Sequence, residues 1–262
     1  MDKTLRTAAT GLNAQQKFVE IISNNISNVN TTGFKKVRPE FQDLLYETLR
    51  PAGAVSRLGV EPLNEVQIGS GTELVATTKV YSQGDVQQTG NSLDMAINGE
   101  GFFMIRKPDN SIAYTRDGTF RVDRMGQIVN SQGYILEPGF TIPDDATEVQ
   151  ISRDGYVEVL LDGETDTQSL GQIELARFIN PAGLRATGDN LYVETPASGK
   201  AFFESPGENN TGEILQYHLE TSNVDIVEEM VNMITAQRAY ELNSKSVRTA
   251  DDILATAVNL KR

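Results

Sequence analysis

The chain carries one histidine, His218, and no cysteine. A lone imidazole could act as a general base or a metal ligand, but no serine elbow or acidic partner accompanies it in sequence, and it reads as a packing or surface residue. The absence of cysteine removes disulfides, zinc-thiolate sites and thiol nucleophiles together. Asn98-Gly99-Glu100-Gly101-Phe102-Phe103 holds two glycines that could bring backbone N–H groups up to a phosphate. It lacks the GxGxxG spacing and the following helix, so a strand turn is the better reading. Three Asp-Gly pairs, at Asp117, Asp154 and Asp162, put carboxylates on loops, yet none continues with the spaced acids and closing glutamate of a calcium loop. A glycosidase-like acid pair could hide among 36 acids, but nothing singles one out. We therefore expect no catalytic, cofactor or metal site.

What the sequence does space with care is apolar residues at its two ends. Leu5, Ala8, Leu12, Gln15, Val19, Ile22, Ile26 and Val29 follow one another by threes and fours. Ile226, Met230, Met233, Gln237, Tyr240, Ser244, Val247, Asp251, Leu254 and Val258 do the same at the other end. Such a seam is what one helix needs to lie along another. Asn24, Asn25 and Asn28 crowd the last turns of the first helix. Asparagine is a poor helix former, and its amides can bridge to neighbouring backbone or side chains, so these residues read as a polar contact strip beside the seam. The expected assembly interface comprises Leu5, Leu12, Val19, Ile22, Asn24, Asn25, Ile26, Asn28, Val29, Ile226, Met230, Met233, Tyr240, Val247 and Leu254.

The elements that would carry these residues follow from the rest of the chain. The first helix is expected to run from about residue 2 to 30, stopped by Gly33. Phe41, Leu44, Leu45 and Leu49 have helix-like spacing and predict a second short amphipathic segment. Residues 51–71 are rich in Gly and Pro and read as a loop or an extended hairpin. Thr72–Tyr81 alternates as a strand does. From Leu93 to Tyr217 the Asp-Gly pairs predict hairpins: Asp117-Gly118 between 112–115 and 119–122, Asp154-Gly155 between 148–151 and 156–161. Asp123 to Gly126 makes a further turn. Strands about ten residues apart indicate an antiparallel sandwich or open barrel. Thr221-Ser222-Asn223 is expected to cap the last helix, which runs to about Leu260. The fold class is thus α+β, mainly β: a discontinuous, coiled-coil-like pair of terminal helices flanking an antiparallel β-hairpin or sandwich-like domain. The expected divisions are 1–33, a connector over 34–92, a β-rich domain over 93–217, and 218–262.

Composition bounds the partners. With 7% aromatic residues and no tryptophan, one very large core is not expected in 262 residues. The net charge of −13 is uneven: residues 1–36 carry +3 and residues 221–262 carry −1, which leaves −15 in the middle. An acidic middle argues against nucleic acid, whose phosphates need a basic surface. The longest apolar runs are a few residues, too short for membrane insertion, and no apolar leader segment follows Met1. A single short seam per molecule leaves an exposed apolar stripe, which identical neighbours could bury; an asymmetric head-to-tail contact then builds a helical polymer.

Specific strings sharpen this. Ser23 to Lys36 (SNNISNVNTTGFKK) resembles the N-terminal signature of the bacterial flagellar rod and hook proteins. Thr221-Ser222-Asn223-Val224-Asp225, Glu228-Glu229-Met230, Gln237 to Glu241 and Asn243-Ser244-Lys245 resemble their C-terminal signature. Asn98 to Phe103 and Tyr114 to Phe120 are similar to their shared β-domain. The length and Phe41 to Tyr46 resemble the distal-rod branch of that family, with about 46–63 where that branch carries an insertion; the proximal-rod and hook-type branches are the near alternatives. A secreted β-domain binding module is an alternative of another class. The resemblance implies a structural subunit, not an enzyme, that polymerises with itself and meets proximal rod proteins and the hook protein at its ends. It further implies ring proteins of the peptidoglycan layer and outer membrane around it, export through the flagellar type III apparatus without a cleavable signal peptide, and a place in the basal-body rod across the periplasm.

Overall fold

The computed structural model describes residues 2–50, 65–163 and 166–259. The chain divides into two compact units: Met1–Ser27, Val37–Thr78 and Asp225–Arg262 form one, Asn28–Lys36 and Lys79–Val224 the other.

The first unit is built on two long helices, α1 (Asp2–Ser27) and α2 (Ile226–Asn259). At 1.5 Å per residue they span roughly 40 and 50 Å. α1 stops three residues earlier than its pattern suggests, where Asn28-Val29-Asn30 turns and Gly33 takes a φ of +65°. The cap of α2 is not the expected Thr221-Ser222-Asn223. Asp225 Oδ1 accepts the N–H groups of Val227 at 2.8 Å and Glu228 at 3.2 Å, and Glu228 and Glu229 sit in the positive first turn. Asn223 serves the β unit instead: its amide donates to Val80 O and Ser82 O and its Oδ1 accepts the Lys36 N–H.

The segment predicted as a short helix is two strands. Val37–Asp43 pairs with Thr72–Lys79, and Tyr46–Arg50 pairs antiparallel with Val66–Gly69. Pro39 has no N–H for a helix, and the two partner strands supply the backbone bonds that a helix would have made internally. Residues 51–64, most of the expected insertion, lie outside the described residues. The strand over Thr72–Lys79 does form where alternation placed it. Its entry lies against α1: a Cβ on Gly71 would fall 2.0 Å from Thr10 Oγ1, so only glycine fits there.

The second unit is antiparallel in every ladder described. One sheet runs in the order Arg185–Gly188, Leu191–Val193, Ile112–Thr115, Phe103–Arg106, Ile135–Leu136, Ile128–Val129, Arg121–Val122. Ala146–Ile151, Tyr156–Leu161 and Thr167–Gln172 form a three-stranded sheet, and shorter two-stranded ribbons complete the unit. The Asp154-Gly155 hairpin forms as expected, with Gly155 at a φ of +83° and the Ser152 N–H donating to Tyr156 O. The Asp117-Gly118 pair does not close a hairpin. Ile112–Thr115 pairs with Phe103–Arg106 and Leu191–Val193 instead, and Gly118 lies so close to Met95 O that a Cβ would clash with backbone. Met95, Ile97, Phe103, Ile105, Phe120, Ile128, Leu136, Val157, Val159, Ile173, Leu175 and Ile214 are fully or almost fully buried together. A second, aromatic cluster holds Phe102, Tyr114, Phe178 and Tyr192. At about 1.5–3 kcal/mol for each large side chain, this unit closes a core of its own.

Candidate assembly surface

α1 and α2 pack along each other in the first unit. Two contacts fix the direction. A Cβ on Gly11 would lie 2.8 Å from Asn243 Nδ2, and the Asn25 amide donates to Glu229 Oε2 at 3.1 Å. These pairs are equally spaced on the two helices and ordered oppositely along the chain, so the helices are antiparallel. Apart from Ile22, the buried residues of the pair are small or polar. On α1 the buried side chains are Ala8, Ala14, Ile22 and Asn25; on α2 they are Glu229, Ala236 and Ala250, with Asn243 half-buried. Glu229, Ala236, Asn243 and Ala250 recur every seven residues, a stripe one position before the apolar seam read from sequence.

Asn25 explains why a poor helix former stands near the end of α1. Its Oδ1 accepts the Val37 N–H at 3.0 Å and its Nδ2 donates to Val37 O at 2.9 Å, so the side-chain amide pairs with the strand as another backbone would. Asn25 is 1% exposed, and Glu229, which takes its second amide hydrogen, is equally buried.

The other expected interface residues are distributed as follows. Ile22 is buried, Leu5, Leu12, Val19 and Ile26 are half-buried, and Asn24 is exposed. Asn28 and Val29 fall beyond the helix, half-buried in the second unit. On α2, Met233 and Val247 are half-buried, while Ile226, Met230 and Tyr240 are exposed. The side chain of Leu254 lies outside the described residues. Sequence reasoning passed over Val227, Val231 and Ile234, which are 70%, 57% and 56% exposed and form a second apolar stripe with Ile226 and Met230. Their spacing by four and three was the signal available.

The second unit buries a charged cluster. Lys35, Glu220 and Arg116 are 0%, 1% and 5% exposed. Lys35 Nζ donates to Glu220 Oε1 at 2.5 Å and to Ser82 O at 2.8 Å. Arg116 reaches Glu220 Oε2 through Nη1 at 3.4 Å and Gly99 O through Nη2 at 2.8 Å, and the Gly84 N–H donates to Glu220 Oε1. Burial pushes the Lys35 ammonium below its ordinary range, opposed by the Glu220 carboxylate; Arg116 is lowered by the same desolvation. Gly33 abuts the Arg116–Asp117 peptide, where a Cβ would stand 2.6 Å away, and Thr32 Oγ1 donates to Asp117 Oδ1 at 2.8 Å. The Thr-Thr-Gly-Phe-Lys string is thus a fitted insert of the β unit.

His218 Nδ1 sits 2.6 Å from Gln216 O in a ribbon strand. Among the described residues no three His, Asp or Glu side chains cluster to hold a metal, and no helix is long and apolar enough to cross a membrane.

Three family descriptions match the chain in order: flagella basal body rod protein over residues 5–35, flagellar hook protein FlgE/F/G D1 domain over 96–159, and flagellar basal body rod FlgEFG protein C-terminal over 215–260. Full-length relatives decide the matter. The flagellar basal-body rod protein FlgG of Caulobacter vibrioides is 49% identical over 261 residues, 99% of each chain. That of Borreliella burgdorferi is 48% identical over 265 residues and 100% of both chains. That of Buchnera aphidicola from Schizaphis graminum is 48% identical over 254 residues, 97% of this chain and 98% of its own. The chain belongs to the flagellar basal-body rod protein FlgG family. The first match covers most of α1 with its fitted insert, and the last covers α2 with the ribbon strand before it; the middle match begins in the strand at Met95–Asn98, takes in five of the first sheet's seven strands and ends within Tyr156–Leu161.

Proposed function

We propose that this chain is the distal-rod subunit of the flagellar basal body, a structural protein that polymerises into a rigid shaft carrying motor torque to the hook. The observation that carries the reading is the full-length match to FlgG rod proteins, joined to a helix pair that leaves a stripe of large apolar side chains uncovered. Alanines, Ile22 and the Asn25–Glu229 pair hold α1 to α2. Ile226, Val227, Met230, Val231 and Ile234 then face outward, and neighbouring copies would bury them in coiled-coil-like contacts at about 25 cal/mol per Å² of apolar surface. Leu5, Leu12, Val19 and Ile26, half-buried in one chain, would be completed in the same way. The role needs no catalysis: torque passes through many parallel contacts. Proximal rod proteins and the hook protein would cap the polymer, ring proteins would surround it, and type III export would deliver it. The acidic β domain would keep the outer face hydrated inside the rings. The insertion at 46–63 would add contacts that keep the shaft straight.

Electron cryotomography of motors in a strain deleted for this gene tests the assignment. Rods that stop short, with a proximal segment but no distal segment or hook, are expected. Full-length rods lacking only a hook, or no rod at all, would move the protein to another position on the axis.

A further inference from the structure

Cysteine is absent, so methionine carries all of the chain's sulfur and is its readiest target for a peroxide. The methionines of the described residues sort by exposure. Met95 and Met104 are buried in the β unit, and Met233 is half-buried on α2. Met125 and Met230 stand open, at 77% and 54% exposed. Met125 lies on the turn from Asp123 to Gly126 and donates its N–H to the Asp123 carboxylate. Met230 has different company. Ile226, Val227 and Ile234 lie three and four positions away on the same face of α2, each between 45% and 70% exposed. None of them carries a side-chain donor. The N–H groups of the first turn are committed too: Asp225 Oδ1 accepts those of Val227 and Glu228, and Asp225 O accepts that of Glu229. The Thr235 hydroxyl, five residues on, donates to Val231 O.

We propose that Met230 is an oxidation site that decides whether a copy enters the polymer, an inference that rests on the self-assembly reading above. The oxidant is a hydroperoxide such as hydrogen peroxide. A lone pair of Sδ attacks one peroxide oxygen and the O–O bond breaks. The oxygen now on sulfur hands its proton to the departing hydroxide, which leaves as water. The sulfur has given up two electrons, the peroxide has been reduced, and the side chain is a sulfoxide. A soft thioether has thus become a polar group with a strong acceptor oxygen. In the free chain water bonds that oxygen. A neighbouring copy seated on the stripe would strip the water away, and Ile226, Val227, Val231 and Ile234 offer no donor in its place, so the oxidised copy is held out. Isoleucine and valine are inert to peroxide, which makes Met230 the one oxidisable residue of that stripe. Methionine sulfoxide reductases restore the thioether, so the block is reversible. Once a neighbour covers Met230, its sulfur is beyond the oxidant's reach: the site acts on the free subunit and spares the finished shaft.

The test oxidises the purified full chain partially with hydrogen peroxide, lets it polymerise and separates polymer from free chain by sedimentation. Peptide mass mapping then measures each sulfoxide in the two fractions. Met230 sulfoxide should be about tenfold scarcer in the pellet than in the supernatant. Met125 sulfoxide, which reports the oxidant's dose, should be shared by both. Treating the supernatant with the reductases for both sulfoxide epimers should return that chain to the pellet. Met230→Leu removes the sulfur: whatever polymer the variant forms untreated, peroxide should not lower it, while Met125→Leu should remain as sensitive as the unaltered chain. Met230 sulfoxide shared equally between pellet and supernatant would overturn the proposal and leave self-assembly standing. So would depletion of Met233 sulfoxide in its place, or a peroxide loss of polymer that persists in Met230→Leu. No polymer from the unoxidised chain would remove the self-assembly reading and this inference together.

Discussion

The helix unit and the β unit bury their side chains in opposite ways. In the β unit, Phe103, Phe120, Ile97, Ile105 and Leu175 are all at or below 1% exposed, and even its charges, Lys35, Glu220 and Arg116, are enclosed. In the helix pair, Ile22 is the one large apolar side chain buried among those described; the rest of the seam is alanine, with Asn25 and Glu229. The helices instead expose their large residues, Val227 at 70% and Ile234 at 56%. A unit whose big side chains point inward is stable alone. A unit whose small side chains touch and whose big ones point outward offers the uncovered face that the proposed assembly would bury.

The largest blow to the closed unit is Glu220→Ala, which strands Lys35 and Arg116 in the interior. Uncompensated buried charge should cost about 3–5 kcal/mol, read as an earlier denaturant midpoint for the β unit with the helices' own signal little changed. Asn25→Ala tests the helix unit in the same way. It leaves the Val37 backbone and Glu229 without their amide partner, and about 1–3 kcal/mol of helix-to-strand attachment should be lost, seen as faster hydrogen exchange at Val37.

Alkali should separate the units without mutation. Burial raises the phenols of Tyr114 and Tyr192 to about 12. The unfolded chain loses these protons near pH 10 while the folded β unit keeps them, so its stability should fall steadily from about pH 10 to about pH 12. A tyrosinate absorbance titration that shows all the phenols ionising together near 10 would contradict this. The smallest effect on the folded chain is expected from Ile234→Asp, within about 0.5 kcal/mol because the side chain is already exposed. The same change should block polymerisation, measured by sedimentation. Ile22→Asp should also block it, but it strikes the buried helix contact too and should lower monomer stability.

Much of this division was legible in the sequence. The three-four spacing marked both helices, and alternation marked the strand over Thr72–Lys79. The face on which α2 meets α1 was not legible. Glu229, Ala236, Asn243 and Ala250 make no stripe of large apolar residues: the alanines are small, Glu229 accepts the Asn25 amide, and Asn243 lies over Gly11. The second stripe, Val227, Val231 and Ile234, had the right spacing but lay beside a more continuous one. Phe41, Leu44, Leu45 and Leu49 mimicked a helix because short-range spacing does not register partner strands that lie about sixteen to thirty residues later. Lys35 and Glu220 lie 185 residues apart, and nothing local to either announces that they meet. Asp117-Gly118 was misread for a related reason: what fixes its backbone is Met95 O, not the strands on either side.

Amide hydrogen exchange, followed residue by residue in the monomer and in the polymer, tests the central contrast most directly. Amides of α1 and α2 should exchange quickly in the monomer and become protected on polymerisation, while those of Phe103–Arg106 and Tyr156–Leu161 stay protected in both. Helices as well protected in the monomer as in the polymer would mean that α1 and α2 complete each other within one chain, and the outward stripe would lose its role.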